Sequence, residues 1–225
     1  MTKNQNHITE QVWTYLDQDP YLKKDMSRGL INIRALSRYI IKEQRLNTSL
    51  DAVISAIRRY NYTYSEKIFE NAKKIIGQII SISTKNRLVS IDVIKDTEVQ
   101  RLLPKLYSIV NYDQGDVLSI AHTEESINLF INENKLGPIQ KIIPESKITR
   151  IYKNLASINI RIKMDAHKTP GVIAIIANEL AVHDINIIEF ISCAQELLWF
   201  VEDDDLLKAY NIVNNLWQQN INTIS

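Results

Sequence analysis

The pattern of apolar and polar residues changes its period near Gly77. Before that position, apolar residues recur every three or four residues, which is the spacing of amphipathic helices. These stretches are separated by breaks such as Asp19-Pro20 and the short connection Asn47–Ser49. The pattern therefore predicts an N-terminal helical domain over residues 1–78.

Beyond Gly77 the period falls to two, which is typical of half-buried strands. Val89, Ile91 and Val93 alternate with polar residues, and the same alternation returns over Ile158–Met164. Each alternating stretch is followed by a helical pattern, two short strands and a second helical pattern, so strand–helix–strand–strand–helix occurs twice at a period of about 70 residues. This order predicts an α+β fold with two ferredoxin-like βαββα(β) units. The predicted units cover residues 86–153 and 156–225, and the first ends with a strand at 147–153.

The segment Thr169–Ser192, TPGVIAIIANELAVHDINIIEFIS, gives the second unit a more specific pattern. A Thr-Pro-Gly turn precedes an apolar helix, and a polar turn at Asp184 leads to an Asn-Ile pair that opens a strand. This order resembles the ACT domain, in particular the ACT domains of aspartate kinases. The resemblance implies that a small effector, usually an amino acid, binds between paired ACT units. The chain has no room for a kinase domain, so we expect regulation and not catalysis.

The residues of this turn also have a chemistry that suits a small zwitterion. Gly171 lacks a Cβ, so a ligand could approach the backbone, and the next helix start would offer N–H groups to a carboxylate. Asp165 could pair with an ammonium group, and Asn186 could orient the ligand. The alternative is a tight strand-to-helix turn that binds nothing. The predicted ligand contacts are Asp165, His167, Lys168, Thr169, Pro170, Gly171, Val172, Asn186 and Ile187.

The corresponding loop of the first unit, Ile94–Gln100, departs from this pattern. It contains neither glycine nor proline, and Glu98 near the predicted helix start would repel a carboxylate. The first ACT-like unit is therefore predicted to be degenerate, either a scaffold or a site with different chemistry.

Charge is unevenly distributed, although the net charge is only +1. Between residues 20 and 60 there are nine Lys and Arg against three Asp and Glu. Two predicted helices there, joined by a short turn, match a helix-turn-helix, whose second helix enters the major groove of DNA. The alternatives are that this basic face contacts a protein or is simply solvated. The predicted nucleic-acid contacts are Arg34, Arg38, Ser49, Arg58 and Arg59.

Several other classes of protein are not indicated by the sequence. The single cysteine, Cys193, cannot form an internal disulfide, and there is no signal-peptide pattern or apolar run of membrane-spanning length. No Gly-rich phosphate loop, catalytic constellation or metal-ligand spacing is present. We therefore expect a cytoplasmic protein that is not an enzyme and that has neither a cofactor nor a metal.

These observations lead to one hypothesis and one alternative. In the first, the ACT-like units bind a free amino acid or similar small effector, and the basic helical domain is the output, which acts by binding DNA. In the alternative, the chain is a stand-alone regulatory subunit that docks on a metabolic enzyme. The exposed sheet edges of the ACT-like units predict a homodimer or larger oligomer, without contact to a membrane.

Overall fold

The computed structural model describes residues 3–61, 66–163, 166 and 168–221. Contacts between Cα atoms divide the chain into two compact units, Met1–Lys67 and Ile68–Ser225. Each unit has its own hydrophobic core. No helix of the described residues is both long and apolar enough to cross a membrane.

In the described part of the first unit, capping side chains set the starts of the helices. These helices are α1 (Lys3–Gln18), α2 (Pro20–Ser27), α3 (Ile33–Glu43) and α4 (Leu50–Arg59). Asp19 caps α2, Asn32 caps α3 and Ser49 caps α4, each through a side-chain oxygen that accepts backbone N–H groups. The helical character predicted for this part of the chain is confirmed.

The core of the first unit lies between these helices. Its fully buried residues include Val12, Leu16, Ile40, Val53, Ala56 and Ile57. The indole N–H of Trp13 donates to the carbonyl oxygen of Ala56 at 3.0 Å, so a polar contact also ties α1 to α4.

The second unit combines helices with one antiparallel sheet. Its helices, counting the one that begins at the boundary, are α5 (Glu66–Gly77), α6 (Thr97–Leu106), α7 (Leu136–Gln140), α8 (Val172–Val182) and α9 (Leu206–Ile221). Its strands are β1 (Ser81–Ile94), β2 (Leu118–His122), β3 (Ser126–Asn132), β4 (Ile148–Arg161), β5 (Glu189–Cys193) and β6 (Glu196–Glu202). The strand order is β2-β3-β1-β4-β6-β5, and all neighbours are antiparallel. The α+β fold class predicted from the sequence, with helices first, is therefore correct.

The two long strands β1 and β4 pair with an irregular register near their middle. Leu88 of β1 pairs with Leu155 of β4, and the register shifts on both sides of this pair. Arg87 and Asn154, which precede these leucines, have left-handed φ values of 54° and 58°. The bulges divide the sheet into two four-stranded halves, β2-β3-β1-β4 and β5-β6-β4-β1. Each half contains one part of β1 and one part of β4.

The two sheet halves fold against each other at these bulges. The rings of Phe130 on β3 and Phe200 on β6 stack with their centroids 4.0 Å apart, although β1 and β4 lie between these strands in the sheet. In a flat sheet, three strand spacings would separate the two positions by about 14 Å. Phe130, Phe200, Leu88 and Leu155 are fully buried, so they form a core between the sheet halves.

Helices cover the opposite face of each sheet half. α6 and α7 pack on the first half around Val99 and Ile139, and α8 and α9 pack on the second half around Ile176. α5 joins this second core through Ile76. The sequence alone assigns α5 to the N-terminal domain of residues 1–78, because its helical pattern continues the preceding ones, but its packing lies with the second unit.

β1 and β4 are longer than the sequence predicts. The sequence predicts a break between a strand at 147–153 and the next at 158–164, whereas β4 runs unbroken through Asn154. Residues 81–85, which no strand prediction covers, pair with residues 157–161. The second sheet half therefore takes its fourth strand from a segment before the first predicted unit. The limits 86–153 and 156–225 of the ACT-like units stay predictions.

Candidate functional site

The turn between β4 and α8 has the backbone that its sequence requires. Thr169 and Pro170 lead into Gly171, whose φ of 95° lies in the left-handed region that favours glycine. Gly171 is also the N-cap of α8, and it has no side chain that could accept an N–H group of the first turn. The helix start predicted at this position is present, without a cap from its own N-cap residue.

Such a helix start suits a carboxylate. The first N–H groups of an α-helix have no acceptor within the helix, and the macrodipole places partial positive charge there. Val172, the first residue of α8, is only 2% exposed. An approaching anion would therefore meet backbone rather than an apolar side chain.

A cavity of about 20 Å³ lies beside this turn. It is lined by Ile162, Ala166, Val172, Ile173, Ser192, Ala194, Gln195 and Leu197. A cavity of that size holds about one water molecule, which is less than any amino acid needs. Additional surface is therefore required to enclose an effector at this turn.

The structure brings together only part of the predicted ligand set. The residues that lie together at the start of α8 are Lys168, Thr169, Pro170, Gly171 and Val172. Asn186 and Ile187 follow the opposite end of α8, whose eleven residues span about 16 Å. Within one chain these two residues therefore lie away from the Gly171 turn. Asp165 and His167 are outside the described residues.

Three residues of the β5–β6 hairpin, one at the end of β5 and two in the turn, line the cavity, although the sequence does not single them out. These are Ser192, Ala194 and Gln195. The backbone N–H of Ile162 donates to the carbonyl oxygen of Gln195 at 2.8 Å, which holds this turn beside the end of β4. The contact depends on the pairing of β4 with β6, so no local sequence pattern could have indicated it.

The corresponding helix start in the first sheet half is capped by the chain itself. Asp96, the N-cap of α6, accepts the backbone N–H of Val99 at 2.8 Å, and its other carboxylate oxygen lies 2.5 Å from Nζ of Lys147. Lys147 also pairs with Glu98 at 3.0 Å. The Lys147 ammonium, followed by the Val99 N–H, holds the pKa of Asp96 below its usual value. The two carboxylates raise the pKa of Lys147, with Asp96 contributing most.

A larger and more open cavity, of about 290 Å³, lies next to α6. It is lined by Lys95, Asp96, Thr97, Gln100, His122 and Ile127. Most of these side chains are polar and exposed, unlike the lining of the cavity at α8. Among the described residues, no group of three or more His, Cys, Asp or Glu is arranged to hold a metal ion.

The outer side of the second sheet half exposes apolar groups beside an open strand edge. β5 is the last strand of the sheet and, among the described strands, pairs with β6 alone. On α8, Ala174 and Ala181 are exposed on one face. Ile173, 44% exposed, and Val182, 66% exposed, lie on opposite sides of that face. The α8 sequence, VIAIIANELAV, is apolar nearly all round, and such helices are normally buried. This side of the unit is therefore suited to contact with another protein surface.

The predicted nucleic-acid contacts of the first unit are divided between two helices. Arg34 and Arg38 are exposed on α3, and Arg58 is exposed on α4. The Ser49 hydroxyl accepts the N–H of Ala52 at 3.2 Å and so acts as a cap. The Arg59 guanidinium donates to the Thr9 hydroxyl at 3.3 Å. Two of the five predicted contacts are therefore already engaged within the unit.

No protein-family model and no curated protein matches this chain. Solved structures do match it. The aspartate kinase of Clostridium acetobutylicum, described as an allosteric enzyme, has 22% identity and a TM-score of 0.49 over 64% of this chain and 35% of its own. The ligand-free regulatory subunit of aspartate kinase from Thermus thermophilus has 10% identity and a TM-score of 0.49 over 62% of this chain and 99% of its own. The aspartate kinase from Synechocystis has 14% identity and a TM-score of 0.49 over 64% of this chain and 27% of its own.

The matched part of this chain thus spans about a third of the clostridial kinase and nearly all of the Thermus regulatory subunit. All three similarities lie below 25% identity and below a TM-score of 0.5. At these values the function has to be inferred from the residues of the chain itself.

Proposed function

We propose that this protein is a non-enzymatic regulator that responds to a free amino acid or similar small effector. The proposal is carried by the contrast between two helix starts. Asp96 fills the start of α6 with a carboxylate of the protein, whereas Gly171 supplies no side-chain acceptor at the start of α8. In this proposal residues 86–153 are an ACT-like scaffold, residues 156–225 are the ACT-like unit that binds, and the helical domain is the output.

A second copy of the chain completes the binding site. Ala174 and Ala181 are exposed apolar residues seven positions apart on one face of α8, so antiparallel packing of α8 on its copy buries both. Ala174 of one copy then faces Ala181 of the other. Thr169 precedes Ala174 by five residues and Asn186 follows Ala181 by five, so Thr169 of one copy comes level with Asn186 of the other.

This pairing turns the separated ligand set into one site. The backbone at Gly171 and the start of α8 bind the effector carboxylate. Asn186 of the second copy contributes its amide, and Asp165 pairs with the effector ammonium. The second copy also supplies the surface that the cavity of one chain lacks.

Thermal-shift assays with the twenty amino acids at millimolar concentration test this function. An effector that binds only the folded state stabilises it by about 2.7 kcal/mol when its free concentration is 100 times its Kd. This raises the melting temperature by roughly 5–10 °C. Gly171→Val should remove the shift, because a Cβ there blocks the close approach. Gly29→Val is the matched control, since Gly29 also has a positive φ, of 70°, and an added Cβ meets nothing within 4 Å there. A wild-type protein that no amino acid stabilises would show the proposal to be wrong.

A further inference from the structure

Cations without a partner in the helical unit are concentrated on α3. Arg34, Arg38 and Lys42 are exposed and four residues apart, so they form one row along the helix. Arg45, also exposed, follows directly after the helix and its C-cap. Within the described residues, none of these four side chains makes a hydrogen bond or an ion pair. We call this set, Arg34, Arg38, Lys42 and Arg45, the α3 row.

Other cations of the same unit have partners nearby. Nζ of Lys23 lies 2.8 Å from the Asp17 carboxylate, and Arg59 donates to the Thr9 hydroxyl at 3.3 Å. Arg28 lies 3.9 Å from a carboxylate one turn earlier in α2. The α3 row therefore differs from these three cations in having neither a carboxylate nor a hydroxyl partner among the described residues.

The exposed face of α4 has no comparable charge. Its exposed residues are Asp51, Ser55, Arg58 and Arg59. Asp51 lies in the first turn of α4, the end with which a recognition helix enters a DNA groove. A carboxylate at that end opposes the approach of phosphates. α4 is therefore poorly suited to lead the contact with a polyanion.

Arg34 occupies a place where a cation does not favour the helix. It is the second residue of α3, where the macrodipole is positive and acidic side chains are preferred. The first turn of α3 contains no acidic residue that would offset this charge. Arg34 therefore serves the binding of an anion better than it serves the stability of α3.

We propose that the α3 row contacts the phosphate backbone of double-helical DNA. The inference rests on the proposed function, in which the helical unit is the output, and it adds the partner and the face that meets it. Successive side chains of the row within α3 are about 6 Å apart along the helix axis, and DNA presents one negative charge per about 1.7 Å of its own axis. The three cations of the row that lie on α3 can therefore face phosphates together.

The side chains of the row also indicate what kind of contact they make. Three of the four are arginines, whose planar guanidinium can donate two parallel hydrogen bonds to a phosphate. Contacts to phosphates fix position on the duplex and carry no direct information about base sequence. Binding through the α3 row is therefore strongly salt-dependent and nearly independent of sequence.

Fluorescence anisotropy with a labelled duplex of arbitrary sequence tests the proposal, using the full chain without effector at about 50 mM to about 200 mM salt. The variant R34Q/R38Q/K42Q should bind about tenfold or more weakly at the lowest salt. Its slope of log K against log salt should be shallower by about 2.7, which is about 0.9 for each lost phosphate contact. The matched control R28Q/R58Q/R59Q removes the same charge from the same unit and should change the slope by less than about one.

The variant R34K/R38K, which keeps the charge, should retain most of the salt slope and shows whether folding survives changes on α3. The proposal would be overturned if the two glutamine variants lost DNA affinity equally. It would also be overturned if R34Q/R38Q/K42Q were folded and kept the wild-type slope of log K against log salt. Wild-type binding to phosphatidylserine vesicles but not to the duplex would also overturn it, in favour of a membrane surface. Binding to neither would refute it and favour docking on an enzyme. No effector is present in these titrations, so their outcome is independent of the thermal-shift result.

Discussion

One residue at each of two helix starts decides what that helix can bind. Asp96 satisfies the first turn of α6 from within the chain, and Lys147 holds its carboxylate in place. Gly171 adopts a backbone that residues with a Cβ rarely adopt, and it supplies no side-chain acceptor to the first turn of α8. The different roles proposed for the two sheet halves therefore follow from these two residues.

Removing the Asp96 side chain should destabilise the second unit. Asp96→Ala loses the hydrogen bond to Val99 and the contact with Lys147, so we expect the melting temperature to fall by roughly 2–4 °C. Asp96→Asn keeps an oxygen that can cap α6 and should have a smaller effect. Differential scanning calorimetry measures both, and equal melting temperatures in all three proteins would contradict the role given to Asp96.

The same carboxylate makes the stability depend on pH. The pKa of Asp96 is lowered in the folded state, so its contribution is fully present above the ordinary range of an aspartate. It is lost as the pH falls from that range through the lowered pKa. Wild type and Asp96→Asn should therefore differ in melting temperature near neutral pH and converge in acid. A difference that persists unchanged in acid would exclude the Asp96 charge as its cause.

At the scale of elements, the contact between the sheet halves depends on small residues beside large ones. Ser90 pairs with Phe130 in the register of β1 and β3, and Ser157 pairs with Phe200 in the register of β4 and β6. Both serines are 6% exposed. Because a serine fills little space above the central strands, the two rings can reach across and stack.

Truncating one of these rings should weaken the whole second unit. Phe200→Ala leaves a cavity between the sheet halves and should lower the free energy of unfolding by about 3–5 kcal/mol. Leu207→Ala is the control, since Leu207 is 75% exposed on α9 and its loss should change stability by less than about 0.5 kcal/mol. Urea denaturation followed by circular dichroism compares the two. Similar losses in both variants would mean that the rings do not form a core.

The elements that could be predicted are those with a local signal. The Pro-Gly turn and the apolar period of α8 are both visible in the sequence, and the structure contains both. Residues 81–85, SISTK, hold a single large apolar side chain, so their place in the sheet depends on pairing with residues 157–161. The stacking of Phe130 on Phe200 likewise joins strands that are not neighbours, and no local pattern encodes it.

In the candidate site, too, only the part with a local signal could be predicted from the sequence. Residues 168–172 form one continuous turn, so their proximity follows from the chain itself. Asn186 is separated from that turn by the length of α8, which a linear pattern does not reveal. Only the exposed positions of Ala174 and Ala181 on one face of α8 indicate how a second copy could bring the two together.

At the scale of the whole molecule, the exposed face of α8 predicts self-association. The wild-type protein should be a dimer or larger at tens of micromolar, because pairing buries apolar surface and an open strand edge. Ala174→Glu/Ala181→Glu places charges on that surface and should yield monomers that have also lost the response to effector. Leu207→Glu/Asn211→Glu, on exposed positions of α9, is the control and should keep the wild-type mass in light scattering. A monomeric wild type would remove the basis for a shared site.

The strand at residues 81–85 also has a consequence for the chain as it is being made. Its partner, residues 157–161, is synthesised about 80 residues later. At a translation rate of about 5–20 residues per second, the segment remains without this partner for about 4–16 s. An apolar strand without a partner readily pairs with other chains. In this segment four of five residues are polar, and the last is Lys85. The same polar composition therefore disfavours pairing with other chains until the second half of the sheet has been synthesised.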